Sequence, residues 1–379
     1  MRWRIRFVAM AAVLFLITTI GIPVLAVEQE EIAAPSAILI ETETGRVLFE
    51  KNADEVRPCA SITKVMTLLL VMEAIESGRI SLEDQVAASA HAASMGGSDI
   101  WLKEGEVMSV DDLIKATVIM SANDAAVVLA EHVYGTEEEF VRQMNLRAQQ
   151  LGMEQTVFKN CNGLDEDGHV TTARDVAVMS AALIAHQKIM DYTLTWMDYV
   201  RDGQTQLVNT NKLIRSYKGI TGLKTGTTST AGSCITATAK RGDLSLAAVV
   251  LGCATTQDRF DSAATLLDYG FANFAYITLP LPTLEVVPVT GGMQEQVPVQ
   301  CMEQAQVLVE KGRERDVQSQ VTLDELVQAP VAQGQILGRI SYLLDGEVIA
   351  ESDVTAAGSV QKMNFSVVFF VLLGSLFRW

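Results

Sequence analysis

The stretch Arg57-Pro-Cys-Ala-Ser-Ile-Thr-Lys-Val-Met-Thr67 (RPCASITKVMT) sets a serine three residues before a lysine, at the point where an apolar run begins. On a helix, positions i and i+3 share a face with Cβ atoms roughly 5–6 Å apart, so the Lys64 amine reaches the Ser61 hydroxyl. A serine becomes nucleophilic when a neighbouring base takes its proton, and a lysine serves once burial and a second cation bring its pKa toward neutrality. A serine at a helix start also sets its own N–H among the unpaired amides of the first turn, where an oxyanion can bind. Taken alone, however, the spacing reads as a helix cap followed by a solvated lysine. Two further motifs bear on the choice.

The first is Met120-Ser-Ala-Asn-Asp124, inside the apolar stretch 118–130. A polar trio there must break the helix or face a polar cleft, because unpaired buried polar groups cost about 1–3 kcal/mol each. Ser121 suits a proton relay and Asn123 suits the holding of a substrate amide. The second is Gly222-Leu-Lys-Thr-Gly-Thr-Thr228, just before a strand expected from Ser233. It offers a cation and hydroxyls on a sheet edge, with Gly226 leaving room for an extended peptide. Singly, each also reads as a turn.

Together, S-x-x-K, then S-x-N about 60 residues on, then K-T-G about 100 further, resemble the signature set of penicillin-binding proteins and serine β-lactamases. Ala60-Ser-Ile-Thr-Lys-Val-Met-Thr67, Ala93-Ser-Met-Gly-Gly-Ser98, Asn162-Gly-Leu-Asp-Glu-Asp-Gly-His169, Thr172-Ala-Arg-Asp175 and Asp268-Tyr-Gly-Phe-Ala-Asn-Phe274 narrow the resemblance. They are similar to the low-molecular-mass D-alanyl-D-alanine carboxypeptidases among the penicillin-binding proteins, over residues 34–275. The resemblance implies a carboxypeptidase that trims the terminal D-alanine from peptidoglycan pentapeptide stems and binds β-lactams covalently. It makes Ser61 the acylated nucleophile, Lys64 its general base and Ser121 the proton shuttle to the leaving amine. Asn123, Lys224, Thr225, Gly226 and Thr227 form the substrate-binding walls, with Lys224 supplying the charge that keeps Lys64 neutral. Arg259 falls where the family places a carboxylate-binding arginine, and a D-Ala terminus needs such a cation. The N–H groups of Ser61 and Thr227 would form the oxyanion hole, and no metal or organic cofactor is required.

Some positions depart from the family. Ala122 stands where glycine is common between the serine and asparagine, and Thr227 stands where some relatives carry histidine. Cys59 reads as a buried small apolar residue, with a reactive thiol as the alternative. Asp165 and Glu166 lie in a loop that in a β-lactamase could hold a deacylating carboxylate; its context reads as structural instead. His169 has no evident metal partner. Two other readings stay open: a serine β-lactamase, marked by fast deacylation of penicillin, and a catalytically silent cell-wall binding protein.

The rest of the chain supplies the setting. Residues 1–26 combine Arg2, Arg4 and Arg6 with an apolar run and a Val24-Leu25-Ala26 cleavage site, the pattern of a secretory signal. Its removal leaves 26 basic against 46 acidic side chains, a shift in net charge from −17 to −20. Such a balance argues against nucleic acid as a partner. Five cysteines with no zinc or CxxC spacing are too few for a disulfide scaffold. The tract at 365–377 (FSVVFFVLLGSLF) is apolar on all sides, but at about 20 Å it is short against a hydrocarbon core of about 30 Å. A shallow or partly inserted membrane anchor over residues 363–379, at the outer face of the cytoplasmic membrane, is the expectation.

Hydrophobic patterning predicts a hairpin at residues 36–49 and helices at 61–77, within 109–133, from the Thr136 capping box to 151, and at 172–186. A strand pair at 233–240 and 244–251 follows, with a helix at 256–274 behind it. Beyond Pro280 the texture turns to short Val-rich runs broken by Gly and Pro, ending in a hairpin with an Asp345-Gly346 turn. The expected fold class is α/β (α+β): a β-lactamase/transpeptidase-like domain with a helical subdomain at 34–275, a small all-β domain at 280–357, and the C-terminal hydrophobic anchor helix.

Overall fold

A computed structural model describes residues 28–302 and 304–365, together with Phe369 and Leu373. The signal at 1–26 and most of the tail at 363–379 lie outside the described residues. Among the described residues no helix is long and apolar enough to cross a membrane.

Five strands form one antiparallel sheet: β1 (Ser36–Glu41), β2 (Val47–Lys51), β3 (Ile220–Thr228), β4 (Gly232–Arg241) and β5 (Leu244–Cys253). Their order is β2-β1-β5-β4-β3, so the first and last of these strands in chain order, β1 and β5, pair in the interior and β2 and β3 form the two edges. All six residues of β1 are buried. Burial of both faces, with the apolar run at 37–40, marks a strand covered on both sides, and the alternation of side chains divides the layers. Ile38, Ile40, Ala247, Val249 and Leu251 pack with the helices α1 (Lys64–Glu76) and α3 (Ala173–Ala185). Ala37, Leu39, Leu246, Ala248 and Val250 pack instead on α4 (Thr256–Asn273). Thr255 caps α4 through a reciprocal capping box with Asp258.

The expected 109–133 helix is interrupted. A helix at Val110–Lys115 widens into a π-turn at Ala116–Met120, Ser121 turns left-handed at φ 65°, and α2 (Asn123–Tyr134) begins anew. The reason lies in an adjacent loop: Asn123 donates its backbone N–H to Ser98 O at 2.6 Å and its Nδ2 to Gly96 O at 2.6 Å. The polar trio thus finds its partners outside the helix.

The second domain is all β. A strand at Phe274–Thr278 pairs with Gln306–Glu310, and a four-stranded sheet joins Val299–Cys301, Glu347–Ala356, Ile336–Leu344 and Gln318–Leu323. Asp345 and Gly346 both have positive φ in the two-residue turn between the longest of these strands, the backbone that an Asp-Gly hairpin favours.

Candidate active site

The Ser61 region differs from a simple helix start. Ala60–Thr63 form a 3-10 turn, entered through Ala60 at φ 50°, and the α-helix proper starts at Lys64. No side chain caps α1. The Ser61 hydroxyl instead accepts a hydrogen bond from Lys64 Nζ at 3.1 Å. Lys64 is completely buried, and its amine also reaches Asn123 Oδ1 at 2.5 Å and the Asn162 carbonyl at 2.7 Å. Burial lowers its pKa to about 7. Desolvation is the leading cause for both lysines, and Lys224 is held well below its usual value by burial first and then by the neighbouring Lys64 and Arg259.

Lys224 is equally buried and donates to Ser121 Oγ at 2.8 Å and to the Thr225 carbonyl at 3.0 Å. The hydroxyl of Ser121 is thereby joined to the K-T-G strand, which is β3, an edge of the sheet. Thr225 Oγ1 lies 2.7 Å from Thr210 Oγ1, a neighbour the sequence analysis did not single out. Arg259, on the first turns of α4, is buried; its Nη1 donates to Thr227 Oγ1 at 2.8 Å and to the Gly226 carbonyl at 3.0 Å. Its Nε is buried without a partner among the described residues.

Gly226 has a different reason from the one its motif suggested. A Cβ there would lie 2.8 Å from Cys59 O and 2.9 Å from Ser61 N, so glycine lets β3 lie directly on the Ser61 turn. This contact sets the Ser61 and Thr227 backbones beside each other. The loop at 162–169 closes against the same turn: a Cβ on Gly163, at φ 84°, would meet the Ala60 carbonyl.

Within this loop, His169 is a support for the Ser61 turn. It is buried, burial lowers its pKa to about 4, and its Nδ1 accepts the Lys159 N–H at 3.2 Å. The proton therefore sits on Nε2, 2.8 Å from Thr63 Oγ1, which donates in turn to Ala60 O at 2.9 Å. Asp165 accepts the hydroxyls of Thr228 and Thr230 at 2.7 and 2.9 Å, tying the loop to the end of β3. Cys59 is fully buried, and burial pushes its thiol up to about 12, so it is a packing residue rather than a reactive thiol.

The fold and this constellation set a buried lysine amine against a serine hydroxyl at the edge of the sheet. The family described as D-alanyl-D-alanine carboxypeptidase matches residues 24–255, and the penicillin-binding protein 5 C-terminal domain matches residues 283–362. D-alanyl-D-alanine carboxypeptidase DacF of Bacillus subtilis is 43% identical over 340 residues, covering 88% of this chain and 87% of the relative. DacC of Escherichia coli is 35% identical over 349 residues, 89% of this chain and 87% of the relative. Among solved structures, penicillin-binding protein 5 from Haemophilus influenzae superposes with a TM-score of 0.76 at 30% identity, covering 89% of this chain and 100% of that one. The chain belongs to the D-alanyl-D-alanine carboxypeptidase family, the serine DD-carboxypeptidases among the penicillin-binding proteins.

Proposed function

We propose that this protein removes the terminal D-alanine from peptidoglycan pentapeptide stems through an acyl-enzyme on Ser61. The observation that carries the proposal is the buried Lys64 amine, 3.1 Å from Ser61 Oγ and with a pKa of about 7. As the neutral amine it accepts the Ser61 proton while Oγ attacks the carbonyl of the penultimate D-Ala. The oxyanion forms against the N–H groups of Ser61 and Thr227. Ser121, held by Lys224, passes its proton to the departing nitrogen and takes in return the one that Lys64 removed from Ser61, and the carbon–nitrogen bond breaks to release D-alanine with Lys64 neutral again. Water, activated by the same lysine, then cleaves the ester and restores Ser61. Arg259 with Thr225 and Thr227 receives the terminal carboxylate, the charge-assisted pairing such a group needs. Asn123 positions Lys64 through Oδ1 and has a second Nδ2 proton for the stem amide.

Penicillins, whose lactam imitates the scissile bond, acylate the same serine. A solved relative, penicillin-binding protein D2 from Listeria monocytogenes in its ampicillin-bound form, is 35% identical over 63% of this chain and 98% of that one, with a TM-score of 0.59. The leader at 1–26 and the apolar tract at 365–377 support export followed by tethering at the outer face of the cytoplasmic membrane. D-alanine release from a pentapeptide ending in D-Ala-D-Ala tests the activity. Release is expected from the wild type and is lost at least a thousandfold in Ser61→Ala, on the order seen when a nucleophile is removed. Equal rates in the two proteins would refute the proposal.

A further inference from the structure

Trp101 is 73% exposed and adopts φ 56°, a left-handed conformation that a bulky residue rarely takes. The residues on either side are the opposite: Ile100 and Leu102 are buried. Both peptide planes that flank Trp101 are tied. The Ile100 carbonyl accepts Arg201 Nη1 at 2.8 Å, with Arg201 held in place by Glu106. The Leu102 N–H donates to the carboxylate of Asp124 at 2.9 Å, which also takes the Ile100 N–H at 3.1 Å. A buried aspartate and a clamped arginine therefore dictate the backbone angles that turn this indole outward. Local strain held by its surroundings in this way is a mark of functional positions. The location is informative too. Asp124 follows Asn123 directly, and the same loop gives Gly96 O and Ser98 O to Asn123. Trp101 thus stands on the loop that braces the S-x-N segment.

Resting on the carboxypeptidase reading above, we propose that Trp101 is a stacking platform for the glycan strand that carries the stem peptide. An indole face attracts polarised C–H groups, and a pyranose offers them on one face with hydroxyls and amides around its edge. The surroundings fit such a ligand: Lys103 and Glu104, both exposed, lie beside the indole in the chain. A lipid surface calls instead for a contiguous apolar face. Trp101 would recruit stems while they are attached to sugar, leaving the acylation chemistry to Ser61 and Lys64.

The test uses the full chain, with kcat/KM measured on a free pentapeptide and on the same peptide carried by N-acetylglucosaminyl-N-acetylmuramic acid. Trp101→Gly removes the indole at a backbone position that suits glycine, and Trp101→Phe keeps a ring. The ratio of glycan-linked to free kcat/KM is expected to fall about tenfold in Trp101→Gly, the loss of one stacking contact, and to recover in Trp101→Phe. A fall of less than threefold, or one that Trp101→Phe does not rescue, overturns the proposal. No turnover of either substrate by the wild type would instead sink the carboxypeptidase reading. The platform then stands or falls on a second readout: titration of Ser61→Ala with stem-free glycan, followed by indole fluorescence. A saturable change that Trp101→Gly abolishes supports it. No change, or one that persists in Trp101→Gly and so belongs to another tryptophan such as Trp196 under Arg215, rules it out.

Discussion

Lys64 is the residue on which the chemistry turns, and its burial has a measurable consequence. In the proposed mechanism the neutral amine is the base, and with a pKa of about 7 the protonated form dominates below neutrality. D-alanine release should therefore rise with pH through about 7 and fall away on the acid side, a limb that a pH profile of kcat/KM reads directly. Lys64→Arg stays protonated and should lose about 10²–10⁴-fold in kcat. His169 gives a second pH effect, on stability. Its folded pKa of about 4 lies below the ordinary value of 6.5, so the unfolded chain binds the extra proton between those values. Stability from this residue is present above about 6.5 and is lost as pH falls toward 4, by roughly 3 kcal/mol. Urea melts at pH 7 and pH 4.5 should show that part of the slope missing in His169→Gln.

At the scale of elements, the site is a meeting of the Ser61 turn, the break before α2 and the edge strand β3. The close contact at Gly226 holds two of them together. Gly226→Ala would drive a Cβ to 2.8 Å from Cys59 O and should reduce kcat at least about a hundredfold, since an error of about 1 Å in alignment is that costly. Penicillin acylation kinetics check this, and a rate within threefold of wild type would count against the packing argument. The strands β1, β2, β4 and β5 and the helices α1, α3 and α4 were legible from the sequence because their apolar patterning is a local signal, whereas β3 was expected only as a turn-like stretch before Ser233 and proved to be a nine-residue edge strand. The break at Ser121 was legible only as a choice, since its partners Gly96 and Ser98 are remote in sequence. The roles of Asn162 O and His169 carry no local pattern at all: one is a backbone carbonyl and the other acts through Thr63. The motif residues were assembled as their order suggested, but the cause of the Lys64 shift depended on burial, which spacing does not reveal.

Across the whole molecule, the two domains share structure. Leu308, from the β domain, packs in the core on the α4 side of the sheet together with Phe274, and Arg46 donates to the Leu308 carbonyl at 2.7 Å. A chain ending at Asn273 would remove both apolar side chains from that core and should be less stable by about 2–5 kcal/mol, as denaturant melts would show. An unchanged melt would mean that the second domain is only a spacer. The account of the catalytic centre rests on Ser61 being the atom that becomes acylated. Digestion of penicillin-treated protein followed by peptide mass mapping reads that atom's residue directly. The prediction is a single adduct on Ser61, absent in Ser61→Ala; an adduct on Cys59 or Ser121, or none on the folded protein, would contradict it.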